Sequence, residues 1–478
     1  MLRPYSLACL WLLAAVSWAL AHAAAASPAV WPQFRGPGGS GISPGGPWPT
    51  HFGPRSNLVW KVPVPSGHSS PCIWGERIFL TGFESNRLVT LALDRRNGRL
   101  LWRRELEPVK LERGAPLGSP ATATPATDGQ HLAVYFGSFG LACYSFEGAE
   151  LWRKPLPPPI TQHGPGTSPV LAGHRLILQC DQDMDSYLLA VDVRTGQTLW
   201  RTDRPGFRRG FSTPLPWPAT APELVVAAGT LRLIAYDLRQ GTVRWWVRGL
   251  PNEMVASPIA GEDLIFVAGW THGAGVSRLP SFTQLLQAGD RNADGQLSQA
   301  EATGPARAHF GYIDADKDGL ITRAEYEAIA AIFNASQNVC LAIRPGGQGD
   351  VTESMVVWKQ TRGLPYVPTP LCYEGRVYLV KNGGLASCFD ARTGQVHYLE
   401  ERLGALGDYY ASPVAGAGKL CAVSHQGVAV VFEAGDTLRV LARNPLGEQV
   451  LATPAIVDGT LYIRSKTSLW AFTESAAR

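Results

Sequence analysis

The chain carries little net charge. Its 43 lysines and arginines nearly balance 39 aspartates and glutamates, leaving +4 over 478 residues. That excludes the single-signed surface by which a protein holds nucleic acid or an acidic membrane face. After residue 26 no run is long and apolar enough to cross a bilayer. Cysteine is sparse, at eight, and no two are adjacent or spaced as Cys-x-x-Cys, so no redox pair, zinc knuckle or haem attachment is expected. Gly-x-Ser-x-Gly, His-Glu-x-x-His and a phosphate-cradling glycine loop are all missing, which leaves no motif-defined catalytic constellation.

The first 26 residues are the exception to the polar balance. Arg3, the apolar run Leu7 to Leu20 and the small residues Ala21-His22-Ala23 and Ala24-Ala25-Ala26 read as a secretory signal with its cleavage region. Cys9 lies too early to be a lipoprotein cysteine. A periplasmic or secreted, monomeric protein is expected, with no transmembrane segment after signal removal. Seven cysteines remain. They sit singly in apolar patterns and read as small buried core residues.

What the chain does have is a period. Ser70-Pro71, Thr124-Pro125, Ser168-Pro169, Thr213-Pro214, Ser257-Pro258, Thr369-Pro370, Ser412-Pro413 and Thr453-Pro454 follow one another at steps of 54, 44, 45, 44, 112, 43 and 41 residues. A period of about 40–50 residues built of four β-rich runs predicts a β-propeller. A second sentence recurs within the period: Asp94…Gly98…Trp102, Asp192…Gly196…Trp200, Asp237…Gly241…Trp245 and Asp390…Gly394…Tyr398. The glycine supplies the positive φ of a tight turn, and the aromatic packs between blades. The last repeat holds three strands only, and Leu58-Val-Trp60-Lys61 matches the missing fourth. The fold class is therefore all-β: an eight-bladed propeller closed by an N-terminal strand, which protects sheet edges.

These sentences, Ala190…Trp200 and Tyr236…Trp245, together with Trp31-Pro-Gln-Phe-Arg-Gly-Pro37, resemble the pyrroloquinoline-quinone (PQQ)-type propeller repeat superfamily over residues 31–270 and 336–475. The resemblance implies the fold. It spans quinone-dependent dehydrogenases and non-enzymatic scaffolds such as the outer-membrane assembly lipoprotein. The dehydrogenases stack their cofactor at the propeller centre, with a carboxylate-held calcium and often a disulfide between adjacent cysteines. This chain lacks adjacent cysteines and is shorter, so bound PQQ is not expected.

The anomalous step of 112 places about 68 extra residues between the second and third strands of blade five. Two twelve-residue loops lie there, Asp290-Arg-Asn292-Ala-Asp294-Gly295-Gln296-Leu297-Ser298-Gln-Ala-Glu301 and Asp314-Ala-Asp316-Lys-Asp318-Gly319-Leu320-Ile321-Thr322-Arg-Ala-Glu325. Both have the EF-hand spacing: oxygen side chains at positions 1, 3 and 5, glycine at 6, a backbone carbonyl at 7 (Gln296, Leu320), a hydroxyl at 9 and glutamate at 12. A hard cation that takes six to eight oxygens needs this array, so two Ca²⁺ sites are expected, the second tighter because it has four acidic ligands to three. Ser281 caps an entering helix, one helix links the loops with Pro305 in its first turn, and the exit helix presents Tyr326, Ile329, Ile332 and Phe333 on one face.

The segments before each Ser/Thr-Pro converge on one mouth of the ring. They bring His68, His163, Arg208, Arg209, Glu253, Tyr366, Asp408, Tyr409 and Tyr410 to a funnel, which is expected to take an unknown protein or small ligand. The insert is expected to overhang that mouth. Asp181, Asp183 and Asp185 alternate in blade three and suit a cation or a turn. The organisation is a signal at 1–26, propeller at 27–270 with the closing strand, the insert at 275–335 and propeller at 336–478. The expected function is a protein-binding or assembly scaffold, not an enzyme. The alternative is a quinone-dependent oxidoreductase or another enzyme using the funnel.

Overall fold

The computed structural model describes residues 29–112, 118–161, 163–272 and 280–474. The signal-like segment therefore lies outside the described residues. Eight sheets follow one another round the ring, each with a core of four antiparallel strands; in blades one to four, six and seven the four are consecutive in the chain. In blade one they are Cys72–Trp74, Arg77–Glu84, Arg87–Asp94 and Leu100–Leu106. Blade eight takes Ala455–Val457, Thr460–Arg464 and Ser468–Phe472 from the C-terminal end and Leu58–Pro63 from the N-terminal end, with Lys61 opposite Trp470. Eight blades built on one repeat thus close as an all-β propeller.

The inner three strands of a blade are buried on both faces. Arg87–Asp94, for example, reads as one apolar run, Leu88 to Leu93, and nearly all of it is inaccessible. Burying such surface at about 25 cal/mol per Å² drives the stacking of blade on blade. The seven cysteines from Cys72 to Cys421 are all buried and free. They are the small core residues their apolar settings suggested.

The Asp…Gly…Trp sentence acts between blades. Trp102 Nε1 donates to the Phe146 carbonyl at 3.0 Å, Trp152 to Val193 at 2.7 Å, Trp200 to Leu238 at 3.1 Å, Trp358 to Ala391 at 2.9 Å and Trp60 to Arg95 at 3.1 Å. Each ring lies over the turn glycine of the next blade. A Cβ on Gly148 would stand 2.6 Å from Trp102, and one on Gly196 2.7 Å from Trp152. The glycine thus has two reasons to be there, a positive φ and a flat seat for the neighbour's indole.

Blade four departs from this rule. The strand Gly349–Asp350, absent from the sequence reading, adds to it in parallel, pairing with Trp245 and Trp246. It comes from the connection between the third and fourth strands of blade five, which runs as Arg344-Pro-Gly-Gly-Gln-Gly-Asp350 instead of a tight Asp…Gly turn.

The insert leaves blade five after Leu264–Gly269 and returns at Val339–Ile343. A helix spans Phe282–Gly289, capped by Ser281 in a reciprocal box with Gln284. The expected single linking helix is two short ones, Gly304–Ala308 and Phe310–Ile313, because His309 leaves the helical region at φ −115°. Arg323–Ala335 follows, capped by Thr322 and Glu325. Leu297–Ser298 and Ile321–Leu320 pair as a two-stranded ribbon between the loops. Tyr326 and Ile329 are buried with Phe282, Leu297 and Ile321 in a separate small core, while Ile332 and Phe333 are only half-buried against it.

Candidate functional site: the plugged central funnel

The Ser/Thr-Pro dipeptides form a belt around the axis. Ser70 N–H donates to the Thr124 hydroxyl at 2.9 Å, Thr124 N–H to Ser168 at 3.0 Å, Ser168 to Thr213 at 3.0 Å and Thr213 to Ser257 at 2.9 Å. The chain continues from Ser257 to Thr369 at 3.1 Å, Thr369 to Ser412 at 3.0 Å and Ser412 to Thr453 at 3.0 Å. Seven of the eight hydroxyls thereby satisfy a buried amide of the preceding blade, and each following proline has no N–H to satisfy. This is why the dipeptide recurs. The cavity inside the belt holds about 210 Å³.

One end of that cavity is stoppered. Val30–Trp31 pairs with Ile73–Trp74 at the inner edge of blade one. The chain then crosses the axis. Phe34 lines the cavity, Gln33 Oε1 accepts from Leu171 of blade three, and Gly38 meets Ala219 of blade four. Arg35, 1% exposed, donates to the carbonyls of Pro370 at 2.8 Å and Pro413 at 3.1 Å in blades six and seven, and to Gly39 and Ser40 of its own loop. Burial without a counter-charge lowers its pKa to about 9. Trp48 Nε1 fastens the strap to Gly416 at 2.8 Å. The periodic reading of the sequence missed this plug, because an irregular segment has no period. Its only signal was the apolar and aromatic content of Trp31 to Pro37.

At the open mouth the expected residues part company. His68 and Tyr410 line the cavity. Tyr409 does not: it is fully buried among the cores of blades six and seven, its hydroxyl donating to Ala405 at 2.9 Å. Neighbouring residues on extended backbone face opposite ways, so Tyr410 takes the funnel position. Tyr366 donates to Glu253 Oε1 at 3.0 Å, and burial raises the pKa of that carboxyl. His163 is exposed, set edge-on to Phe211 at 6.0 Å. Arg209 is bound to Asp183 at 2.8 Å. Asp181 is held twice by Arg204, at 2.6 and 2.8 Å, with both side chains inaccessible. Arginines, not a cation, therefore occupy two of the three alternating aspartates. Glu112 was not foreseen. Its buried carboxyl has neither oxygen bonded among the described residues, and burial pushes its pKa up to about 7.

The insert docks at this mouth through the short helix Phe310–Ile313 that leads into its second loop. Arg208 Nη1 donates to the Tyr312 carbonyl at 2.8 Å, and the Arg209 guanidinium lies 4.3 Å from the Tyr312 ring centroid. In that loop Asp314, Asp316 and Glu325 each bring an oxygen within 4.8 Å of the others. Asp314 Oδ1 is buried without a partner, as is Asp290 Oδ1 at the same position of the first loop. The opposite oxygens are used internally, Asp314 Oδ2 by Gly319 N–H at 3.2 Å and Asp290 Oδ2 by Gly295 N–H at 3.0 Å.

Residues 85–245 and 184–477 match the family described as outer membrane protein assembly factor BamB. The chain belongs to that family of PQQ-like repeat propellers. Among solved structures it is similar to BamB from Moraxella catarrhalis at 12% identity, covering 88% of this chain and 98% of that one with a TM-score of 0.54. It is also similar to the quinohemoprotein alcohol dehydrogenase ADHIIG from Pseudomonas putida HK5 (14% identity, 94% and 82% covered, TM-score 0.54). A europium-containing methanol dehydrogenase shares 11% identity, with 93% and 98% covered and a TM-score of 0.56. At such identities these likenesses show the fold alone. No curated protein sequence matches. Among the described residues no helix is long and apolar enough to cross a membrane.

Proposed function

We propose that this protein is a calcium-binding propeller scaffold that works in the periplasm or outside the cell, docking a protein or small ligand at its funnel. The observation that carries the calcium reading is the pair of buried, unpartnered Asp Oδ1 atoms at position 1 of twin twelve-residue loops. A buried anionic oxygen without a donor is costly, and a hard cation relieves that cost. Asp290, Asn292, Asp294, Gln296, Ser298 and Glu301 would hold one ion. Asp314, Asp316, Asp318, Leu320, Thr322 and Glu325 would hold the other, so the insert is an EF-hand pair on this reading. Domain limits of 27–270, 275–335 and 336–478 follow from it. Calorimetry with calcium tests the assignment. Two binding events are expected, at about 10⁻⁴ M or tighter, and an absence of heat removes it.

The scaffold role is supported by membership of an assembly-factor family and by the plug. A channel stoppered by Phe34 and Arg35 leaves one open face, a shape suited to docking. The dehydrogenase neighbours favour the second reading, a quinone-dependent oxidoreductase. The residues fit that group poorly. The seven cysteines are buried singly, and Phe34 stands on the axis where a planar cofactor would stack. Absorbance titration of the purified protein with the quinone separates the two readings. A saturable spectral change favours the enzyme; none favours the scaffold.

A further inference from the structure

One arc of the funnel has a chemistry that neither calcium nor scaffold docking uses. Between blades one, seven and eight a side pocket of about 190 Å³ opens off the mouth. His68, His425 and Lys466 line it, together with Ser66, Ser119 and Gln449, and no aspartate or glutamate contributes to its wall. Behind it lies Arg464, fully buried, pinned through Nη1 and Nη2 to Ser69 and to the Pro65 carbonyl at 3.0 Å. No carboxylate pairs with Arg464 among the described residues. Its Nε and the His425 Nε2 are both buried nitrogens without a hydrogen-bond partner. Lys466 Nζ and the His68 ring form no hydrogen bond or ion pair with a described residue.

The flanking carboxylate of Glu448 is committed elsewhere: it binds Lys61 at 2.6 Å and accepts from the Ser465 hydroxyl. Across the ring, at blades three to five, the charges are of the other sign or paired: Glu253 under Tyr366, and Asp183 with Arg209. The cationic arc of His68, His425 and Lys466 is therefore uncompensated, whereas the charged groups opposite it are paired or bonded.

We propose that the pocket formed by His68, His425 and Lys466 is an oxyanion subsite, taking a carboxylate or phosphate group of whatever ligand enters the funnel. Two cationic or cationisable side chains with free donors, the orphaned His425 Nε2 and three neutral polar groups make the carboxylate-free wall that such a group needs. Arg464, unable to move from its carbonyls, supplies a fixed positive field behind them. The same field explains the state of His68. Burial, then Arg464, Lys466 and His425, lower its pKa to about 4. An oxyanion placed there offsets those three charges and raises it again. Through His68, anion affinity therefore strengthens as the pH falls toward that lowered value.

The inference does not depend on the scaffold role, and it can fail while calcium binding holds. The test is calorimetry of the full protein with inorganic phosphate and, separately, with acetate, against sodium chloride of equal ionic strength. Histidine side-chain resonances are followed in the same titrations. Saturable binding of either probe beyond the chloride control is expected, and the tighter probe distinguishes a phosphate-bearing ligand from a carboxylate-bearing one. His68→Gln and Lys466→Gln, checked for an unchanged fold by circular dichroism, are each expected to weaken it about tenfold. The His68 resonance of the unmutated protein is expected to titrate at higher pH when the probe is bound. Binding no stronger than chloride, affinities unchanged in both variants, or a His68 titration indifferent to the probe overturns the proposal.

Discussion

The ring and the insert are held together by different physics. In the ring the blades share three devices: an apolar sandwich, a hydroxyl that satisfies the neighbour's amide, and, in five of them, an indole seated on the next blade's glycine. Seven of the eight belt hydroxyls accept from a neighbouring blade's amide. The insert has a small apolar core of its own, and its twin loops leave the Asp290 and Asp314 oxygens unpartnered. The ring's sheets and belt are closed on themselves, whereas the insert's two loops converge on unpartnered carboxylate oxygens. The two meet at Arg208, Arg209 and Tyr312, a polar and aromatic contact that joins them without sharing a core.

The sharpest way to break this contrast is at the seam of the ring. Deleting residues 57–64 removes the outer strand of blade eight and uncovers Trp470. The expected cost exceeds ~5 kcal/mol, the scale of a domain's net stability. Soluble, cooperatively melting protein from this truncation would show that the ring does not need closure. Next in size is Arg204→Ala, which strands Asp181 in the interior. Leaving one member of a buried pair costs about 3–5 kcal/mol, to be read from chemical denaturation. A loss below ~1 kcal/mol would show that solvent reaches Asp181.

A single belt hydroxyl matters less. Thr213→Val keeps the shape but leaves the Ser168 amide without its acceptor. About 1–3 kcal/mol is expected from the same measurement, and no change would mean the belt is ornamental to stability. The smallest effect on the ring is expected from the insert. Glu325→Gln removes a charged ligand of the second loop, so the tighter calorimetric calcium event disappears while the denaturation midpoint of the ring shifts by less than ~0.5 kcal/mol. Replacing residues 275–335 by a short Gly/Ser linker sharpens the point: circular dichroism should retain its β signature. Collapse of the ring in either case would show that ring and insert are one cooperative body.

The order of the blades was legible in the chain because the repeat is local and frequent. A Ser/Thr-Pro at steps of 41 to 54 residues, apart from the single step of 112, and an Asp…Gly…Trp sentence announce it without any knowledge of contacts. The sites were less legible. Tyr409 and Tyr410 are neighbours of one residue type, and only the fold says which is buried and which lines the cavity. Arg209 and Asp183 each look like free funnel charges until the fold sets them 2.8 Å apart. The plug at 29–56 has no periodicity. It was invisible as structure even though Trp31 to Pro37 stood out as residues.

By itself the sequence determined the blade repeat, the position of the insert and the oxygen spacing of its loops. These are properties of consecutive residues, governed by turn chemistry and by the period of side chains along the backbone. The tertiary structure alone decided that Arg35 stoppers the channel through carbonyls of blades six and seven, that Trp102 lies on Gly148, and that His68, His425 and Lys466 share one carboxylate-free corner. Those pairings join residues far apart in the chain. Only ring closure, which brings the last blade against the first, sets the distances between their charges.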